Sequence, residues 1–78
     1  MQVTQERKSE ISIFRTSVKT IGEVNYLKKL LDLLVGKGYW NFDLEDKENI
    51  LRIDSNTSIN SFLTQEINKL GFDCNELF

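Results

Sequence analysis

The chain has 78 residues, with 10 Lys and Arg residues, 12 Asp and Glu residues and no His, so its formal net charge is -2. Hydrophobic residues make up 40% and charged residues 28%, which is typical of one small globular domain and not of a disordered or fibrous chain. No apolar run approaches the ~20 residues that cross a bilayer, and the polar N-terminus lacks the apolar core of a secretory signal. The single cysteine excludes an intrachain disulfide, and we expect a cytoplasmic protein with no membrane contact.

The first element in chain order is a predicted strand over residues 10–16. Residues 1–9 before it show no periodicity and are predicted to be a flexible arm, followed by a single domain over residues 10–78. Within the strand, Ile11 and Ile13 share one face, which we expect to be the core face. This phase leaves Phe14 on the opposite face.

The second element is a predicted amphipathic helix. Thr20 and Glu23 fit a capping box, in which the Thr20 hydroxyl accepts the Glu23 N–H and the Glu23 carboxylate reaches back to the Thr20 N–H. Apolar residues then recur three and four positions apart from Val24 to Leu34, which indicates a helix with one face in the core. Gly36 suits the left-handed residue that ends such a helix.

A β-hairpin is predicted next. Residues 39–44 and 50–54 alternate between apolar and polar side chains, on either side of the polar turn at residues 45–49. Acidic residues concentrate in this turn, but their spacing matches no calcium-binding loop, so we interpret it as a solvated hairpin.

The last two elements are a second helix and a short strand. The linker at residues 55–58 is rich in helix-capping residue types, and helical spacing follows from Ile59 to Leu70. Gly71 ends this predicted helix, and residues 72–77 alternate as a strand.

The element order β-α-β-β-α-β predicts an α+β fold of the ferredoxin-like type. Two right-handed strand-helix-strand units in tandem give a four-stranded antiparallel sheet with both helices on one face. The predicted core comprises Ile11, Ile13, Leu27, Leu31, Leu34, Trp40, Phe42, Leu44, Leu51, Ile53, Phe62, Leu63, Ile67, Leu70, Phe72 and Cys74.

Two segments of this chain resemble a known family. The first strand leads into Thr16-Ser17-Val18-Lys19-Thr20, and the chain closes with Gly71-Phe72-Asp73-Cys74-Asn75-Glu76-Leu77. Together with the element order, these segments resemble the heavy-metal-associated domain of copper chaperones and copper-pumping ATPases, over residues 10–77. The resemblance implies the ferredoxin-like fold, and it implies Cu(I) binding through a Met-Thr-Cys-x-x-Cys loop before the first helix.

The residues at the family's metal loop depart from its motif. Thr16 matches the family's Thr, whereas Arg15 stands in place of Met, Ser17 in place of the first Cys and Thr20 in place of the second. Soft Cu(I) selects thiolates, and Lys19 adds positive charge beside any cation. We therefore expect a member that has kept the fold and lost the metal, with no cofactor.

Cys74 and the two hydroxyl residues of the loop have structural interpretations that we favour. Thr20 is expected to cap the helix, Ser17 to lie in a turn, and Cys74 to pack in the core in phase with Phe72. The alternative is an atypical copper carrier or regulator that uses Cys74 across a dimer. A small-ligand sensor module is a further alternative, because other families with this topology bind ligands between subunits.

A possible interaction surface lies on the sheet face without helices. Phe14, Tyr39 and Ile50 fall on the phase opposite the predicted core, and Arg52 follows Ile50 on that phase. Apolar residues on an uncovered sheet face favour contact with a protein partner or a second copy of the chain, and the edge strand at 39–44 could add a partner's strand. We therefore predict a protein partner or a weak homodimer at this patch.

The remaining function classes are not supported by the sequence. The acidic balance lacks the basic footprint of nucleic-acid binding, so we expect no nucleic-acid partner. The absence of His and of any nucleophile-base pair argues against an enzyme. The sequence thus predicts a small, non-catalytic, cytoplasmic binding or interaction module.

Overall fold

The computed structural model describes residues 10–77. The arm predicted at residues 1–9 lies outside the described residues, as does residue 78. The elements are β1 (Glu10–Thr16), α1 (Ile21–Leu34), β2 (Trp40–Asp43), β3 (Ile50–Ser55), α2 (Asn60–Lys69) and β4 (Cys74–Glu76), with a short 3-10 turn at Thr57–Ile59 before α2.

The four strands form one antiparallel sheet in the order β2-β3-β1-β4. The buried residues of α1 and α2 belong to one core with the buried residues of the strands. Both helices therefore cover the same sheet face, and the predicted ferredoxin-like arrangement is confirmed. Within residues 10–77, neither helix is long and apolar enough to cross a membrane.

Side-chain caps begin α1 and the 3-10 turn as the capping-residue types predict. The Thr20 Oγ1 atom accepts the Glu23 N–H at 3.1 Å, so the predicted N-cap is confirmed. The second half of the box differs, because the Glu23 carboxylate accepts the N–H of Lys19 at 2.7 Å and not that of Thr20. In the linker, Asn56 Oδ1 accepts the Ser58 N–H at 2.8 Å.

The phase of β1 is the main difference from the sequence prediction. Phe14 is 0% exposed in the centre of the core, whereas Ile11 is 59% exposed and Ile13 is half-buried. Phe14 lies opposite Leu51 of β3 in the register, so both point to the helices. The prediction that Phe14 lies on the uncovered face, with Ile11 and Ile13 in the core, is wrong. The choice follows from the partners of β1 in the core, Leu51 opposite Phe14 and Asn60 beside Ser12.

A buried polar contact accompanies this phase. Ser12 shares the core face with Phe14, and its Oγ atom accepts a hydrogen bond from Asn60 Nδ2 at 2.9 Å. The same amide donates to Glu76 Oε2 at 3.0 Å, while Asn60 Oδ1 is buried without a partner. Asn60 begins α2, so the contact ties that helix to β1 and β4.

The rest of the core agrees with the prediction at most positions. Val18, in the loop before α1, is fully buried although it was not predicted to be. Phe62 and Leu70 are exposed, because the buried side of α2 is narrow and is formed by Leu63 and Ile67. The half-buried residues that surround the core include the predicted Leu34, Trp40, Phe42, Leu44 and Phe72.

Candidate functional site

The sheet face opposite the helices has no cover from the described residues. Every second side chain along the paired strands points to this face, and together these side chains form three rows across the sheet. Each row has one residue from β1, one from β3 and one from β2, except that Tyr39 lies just before β2. We call this surface the open sheet face: Ile11, Asp54 and Tyr39; Ile13, Arg52 and Asn41; Arg15, Ile50 and Asp43.

The structure places two of the four residues of the predicted patch at accessible positions on this face. Tyr39 is 47% exposed and Arg52 is half-buried, and both lie on the open sheet face. Ile50 lies on this face by register but is only 5% exposed, between Arg15 and Asp43 on the neighbouring strands. Phe14 lies in the core, so it takes no part in the patch.

Ile11 and Ile13 supply the apolar surface that the sequence prediction assigned to Phe14. Ile11, Tyr39, Arg52 and Asp54 line a cleft of about 230 Å³ at one end of the face. Ile11 and Ile13, which were predicted to lie in the core, are on this face because the phase of β1 points both side chains to the uncovered side. The candidate site therefore keeps three apolar side chains, of which Ile11 and Ile13 replace the predicted Phe14 and Ile50.

Charged side chains flank this apolar surface as exposed ion pairs. Arg52 Nη2 lies 3.6 Å from Asp43 Oδ2, and Arg52 Nη1 lies 3.5 Å from Asn41 Oδ1. Arg15 Nε donates to Glu48 Oε1 at 2.6 Å. Exposed pairs of this kind contribute little to stability, so the arginines can exchange their partners at low cost.

The loop that matches the family's metal loop uses its polar groups internally. Thr16 Oγ1 donates to the carbonyl of Asn49 at 2.7 Å and accepts the N–H of Val18 at 3.1 Å. Ser17 Oγ accepts the N–H of Asp73 at 2.9 Å, and the Ser17 N–H donates to the Asp73 carbonyl. These contacts tie the loop to the hairpin and to the segment before β4.

The two positions that carry the family's ligands are therefore structural in this chain. Ser17 holds the segment before β4, and Thr20 caps α1. Arg15 points its guanidinium to Glu48, and the Lys19 backbone N–H is bound by Glu23. Among residues 10–77, no group of three or more His, Cys, Asp or Glu side chains is placed to hold a metal ion.

Cys74 lies beside this loop but inside the core. It is the register partner of Thr16 and is 4% exposed, as its predicted phase required. Burial raises the pKa of the Cys74 thiol to about 12, and the charge of Glu76 adds to the increase. At neutral pH the thiol is therefore protonated, which makes it a weak nucleophile and a poor ligand for a soft metal.

A larger cleft of about 520 Å³ runs along the free edge of β2, and the sequence prediction did not identify it. Its helix side is lined by Ile21, Val24, Trp40, Phe42 and Leu44. The Trp40 and Phe42 rings meet edge to face at 6.1 Å between centroids. Both rings are only half-buried, so this edge presents aromatic surface as well as backbone.

Trp40 is held in place by α1. Its indole N–H donates to Asp32 Oδ1 at 2.8 Å, and Lys28 Nζ binds the other carboxylate oxygen at 3.0 Å. The indole hydrogen bond and the Lys28 ammonium lower the pKa of Asp32. The half-buried ring therefore has a fixed orientation at the strand edge.

Comparison of the chain with protein-family models, with curated proteins and with solved structures returns no match. The resemblance to heavy-metal-associated domains stays a prediction from the residues of the loop and the last strand.

Proposed function

We propose that the chain is a small, non-catalytic, cytoplasmic module that binds a protein partner through the open sheet face. The observation that carries this proposal is the placement of the exposed Ile11 and Tyr39 and the half-buried Ile13 on the sheet face that the helices leave uncovered, where Ile11 and Tyr39 line one cleft. Exposed apolar residues that form one surface mark interaction sites more often than scattered ones do.

The chemistry of the face supports a protein as the ligand. Aromatic and arginine side chains are enriched at the centres of protein interfaces; Arg52 lies opposite Ile13, and Tyr39 lines the same cleft as Ile11. The Arg52 guanidinium is held by exposed contacts with Asp43 and Asn41, so it is accessible to a partner's carboxylate. The cleft at this face has a volume of about 230 Å³, below the ~300–1,000 Å³ of pockets that enclose small ligands, which favours a partner's surface over a small ligand.

The proposal includes the loss of the metal function that the family resemblance implies. It is supported by the hydrogen bonds that occupy Ser17 and Thr20 and by the burial of the Cys74 thiol. The single cysteine is consistent with a reducing compartment.

The experiment is quantitative affinity capture with two matched double variants. Ile11→Ser with Tyr39→Ser removes apolar surface from the open sheet face, and Leu33→Ser with Phe62→Ser removes it from the exposed side of the helices. We expect both variants to fold, because all four side chains are exposed. The first variant should lose a protein that the parent chain and the second variant retain. If the two variants retain the same proteins as the parent, the proposal is wrong.

A further inference from the structure

The free edge of β2 presents unpaired backbone groups in a defined pattern. The Asp54 N–H donates to the Tyr39 carbonyl at 2.8 Å, so these two residues form a hydrogen-bonded pair of the β2–β3 ladder. Such pairs alternate along an antiparallel ladder, and the register places Asn41 opposite Arg52 as the next one. The N–H and C=O groups of Trp40 and Phe42 therefore point away from β3, and no other residue within 10–77 binds them.

Apolar surface accompanies these backbone groups. The cleft of about 520 Å³ runs along this edge, and Ile21 and Val24 of α1 form its far wall above Trp40 and Phe42. An edge strand with free backbone groups and half-buried aromatic rings is a template for another strand. The added strand would cover both rings and continue the core between sheet and helices.

The charges at the two ends of β2 indicate which strand fits. Lys37 precedes the strand and Glu45 follows it, and neither side chain forms an ion pair within the described residues. When two copies of this segment run antiparallel, the lysine end of each meets the glutamate end of the other. The segment is thus complementary in charge to itself, which favours an antiparallel pairing in which the two copies of β2 overlap along their length.

We propose that a second copy of this chain binds along the free edge of β2, in an antiparallel two-fold pairing centred on Asn41. In this register Trp40 lies opposite Phe42 of the second copy, and these two residues exchange both of their backbone hydrogen bonds. The same exchange occurs at the symmetry-related pair. Lys37, in the turn before β2, then lies at the same end of the pairing as Glu45, in the turn after β2 of the second copy, and the sheet continues through both copies.

The first test is sedimentation equilibrium of the whole chain over a concentration series, with charge reversals. The parent chain should show a monomer–dimer equilibrium that weakens with salt. Lys37→Glu alone and Glu45→Lys alone each create two like-charge contacts per dimer, and each should raise the dissociation constant about tenfold. The combination of both reversals restores opposite charges and should return the constant to within about threefold of the parent value.

The second test removes one outward backbone donor without changing any side chain. A synthetic chain with an N-methyl group on the Phe42 amide should stay folded, because that N–H takes no part in the β2–β3 ladder, and it should be monomeric. The matched control carries the N-methyl group on Glu76. In the β1–β4 ladder the Leu77 N–H donates to the Ile13 carbonyl. The N–H of the preceding residue, Glu76, therefore points away from β1, to the opposite edge of the sheet. The control should dimerise as the parent does.

Three results would overturn the proposal. The first is a parent chain that is monomeric at all concentrations up to about 1 mM, a limit at which even a very weak dimer is detected. The second is a dimer that survives N-methylation of Phe42 while circular dichroism shows a native fold. The third is a pair of charge reversals whose combination is no better than either one alone. The open sheet face shares Tyr39, Asn41 and Asp43 with this segment, but its isoleucines lie on β1 and the outward backbone groups of β2 take no part in it, so these results do not decide the capture experiment above.

Discussion

Comparing substitutions at Phe14 and at Ile11 is the strongest test of the fold, because the sequence pattern alone predicts the opposite order of their effects on stability. Phe14 is fully buried, and removing a buried aromatic ring typically costs about 3–5 kcal/mol in the free energy of unfolding. A domain of this length has a free energy of unfolding of roughly 4–12 kcal/mol. Phe14→Ala should therefore remove a large part of the stability.

Ile11 should behave in the contrary way. Its side chain is more than half exposed on the open sheet face, so Ile11→Thr, which keeps a β-branched side chain, should change the free energy of unfolding by less than about 0.5 kcal/mol. Phe14→Leu is the milder companion at the core position, and it should cost about 1–1.5 kcal/mol and stay folded.

The assay is equilibrium unfolding in urea, followed by circular dichroism. With a slope near 1 kcal/mol per molar urea, Phe14→Ala should lower the midpoint by about 3 M or leave the chain unfolded in water. Ile11→Thr should leave the midpoint nearly unchanged. If Ile11→Thr costs more than Phe14→Leu, the phase of β1 described here is wrong, and Ile11 lies in the core.

Further predictions concern the metal loop, the thiol and the buried polar contact. The parent chain should retain no stoichiometric Cu(I) against a competing chelator, whereas Ser17→Cys combined with Thr20→Cys should gain tight binding; retention by the parent would revive the carrier hypothesis. Because the pKa of Cys74 is raised from 9.0 to about 12, its contribution to stability is complete below pH 9 and is lost as the pH rises towards 12. In thermal unfolding, Cys74→Ala should not show this loss of stability at high pH. If a bulky reagent labels the thiol of the parent chain before it unfolds, Cys74 lies on the surface. Asn60→Asp should cost about 2–3 kcal/mol at neutral pH, because it puts a carboxylate beside Glu76 in place of the amide donor, and acidification should relieve the cost; equal stability at pH 4 and pH 7 would contradict the contact.

The sequence predicts the order and type of all six regular elements, because their signals are local. Thr20 and Asn56 show cap chemistry and Gly71 shows a helix stop, and the structure places each of these at the end of its element. Gly71 has a φ of 99°, the left-handed conformation for which glycine is suited. The apolar spacing of α1 then specifies which face of the helix packs in the core.

The phase of β1 could not be predicted in the same way, because both of its faces carry large apolar residues. Alternation identifies Ile11 and Ile13 as one set but does not say which set the helices cover. The decision depends on distant partners, namely Leu51 opposite Phe14 and Asn60 beside Ser12. This single ambiguity displaced the predicted site by one residue along β1.

The β2 edge was predicted to be an edge strand, but its cleft was not predicted. The cleft depends on how far α1 lies from the strand, and no local pattern reports the distance between a helix and a strand edge. The same limit applies to Ile50, which has the phase of a surface residue and is nevertheless covered by its neighbours.

Site-specific photocrosslinking tests the proposed function most directly. A photoreactive residue replaces Ile13 on the open sheet face in one chain and the exposed Gln65 of α2 in another, and both chains are irradiated in living cells. The account predicts a discrete crosslinked protein from position 13 and none from position 65. A crosslinked protein from position 65 alone would show that the helices, and not the sheet face, carry the interaction.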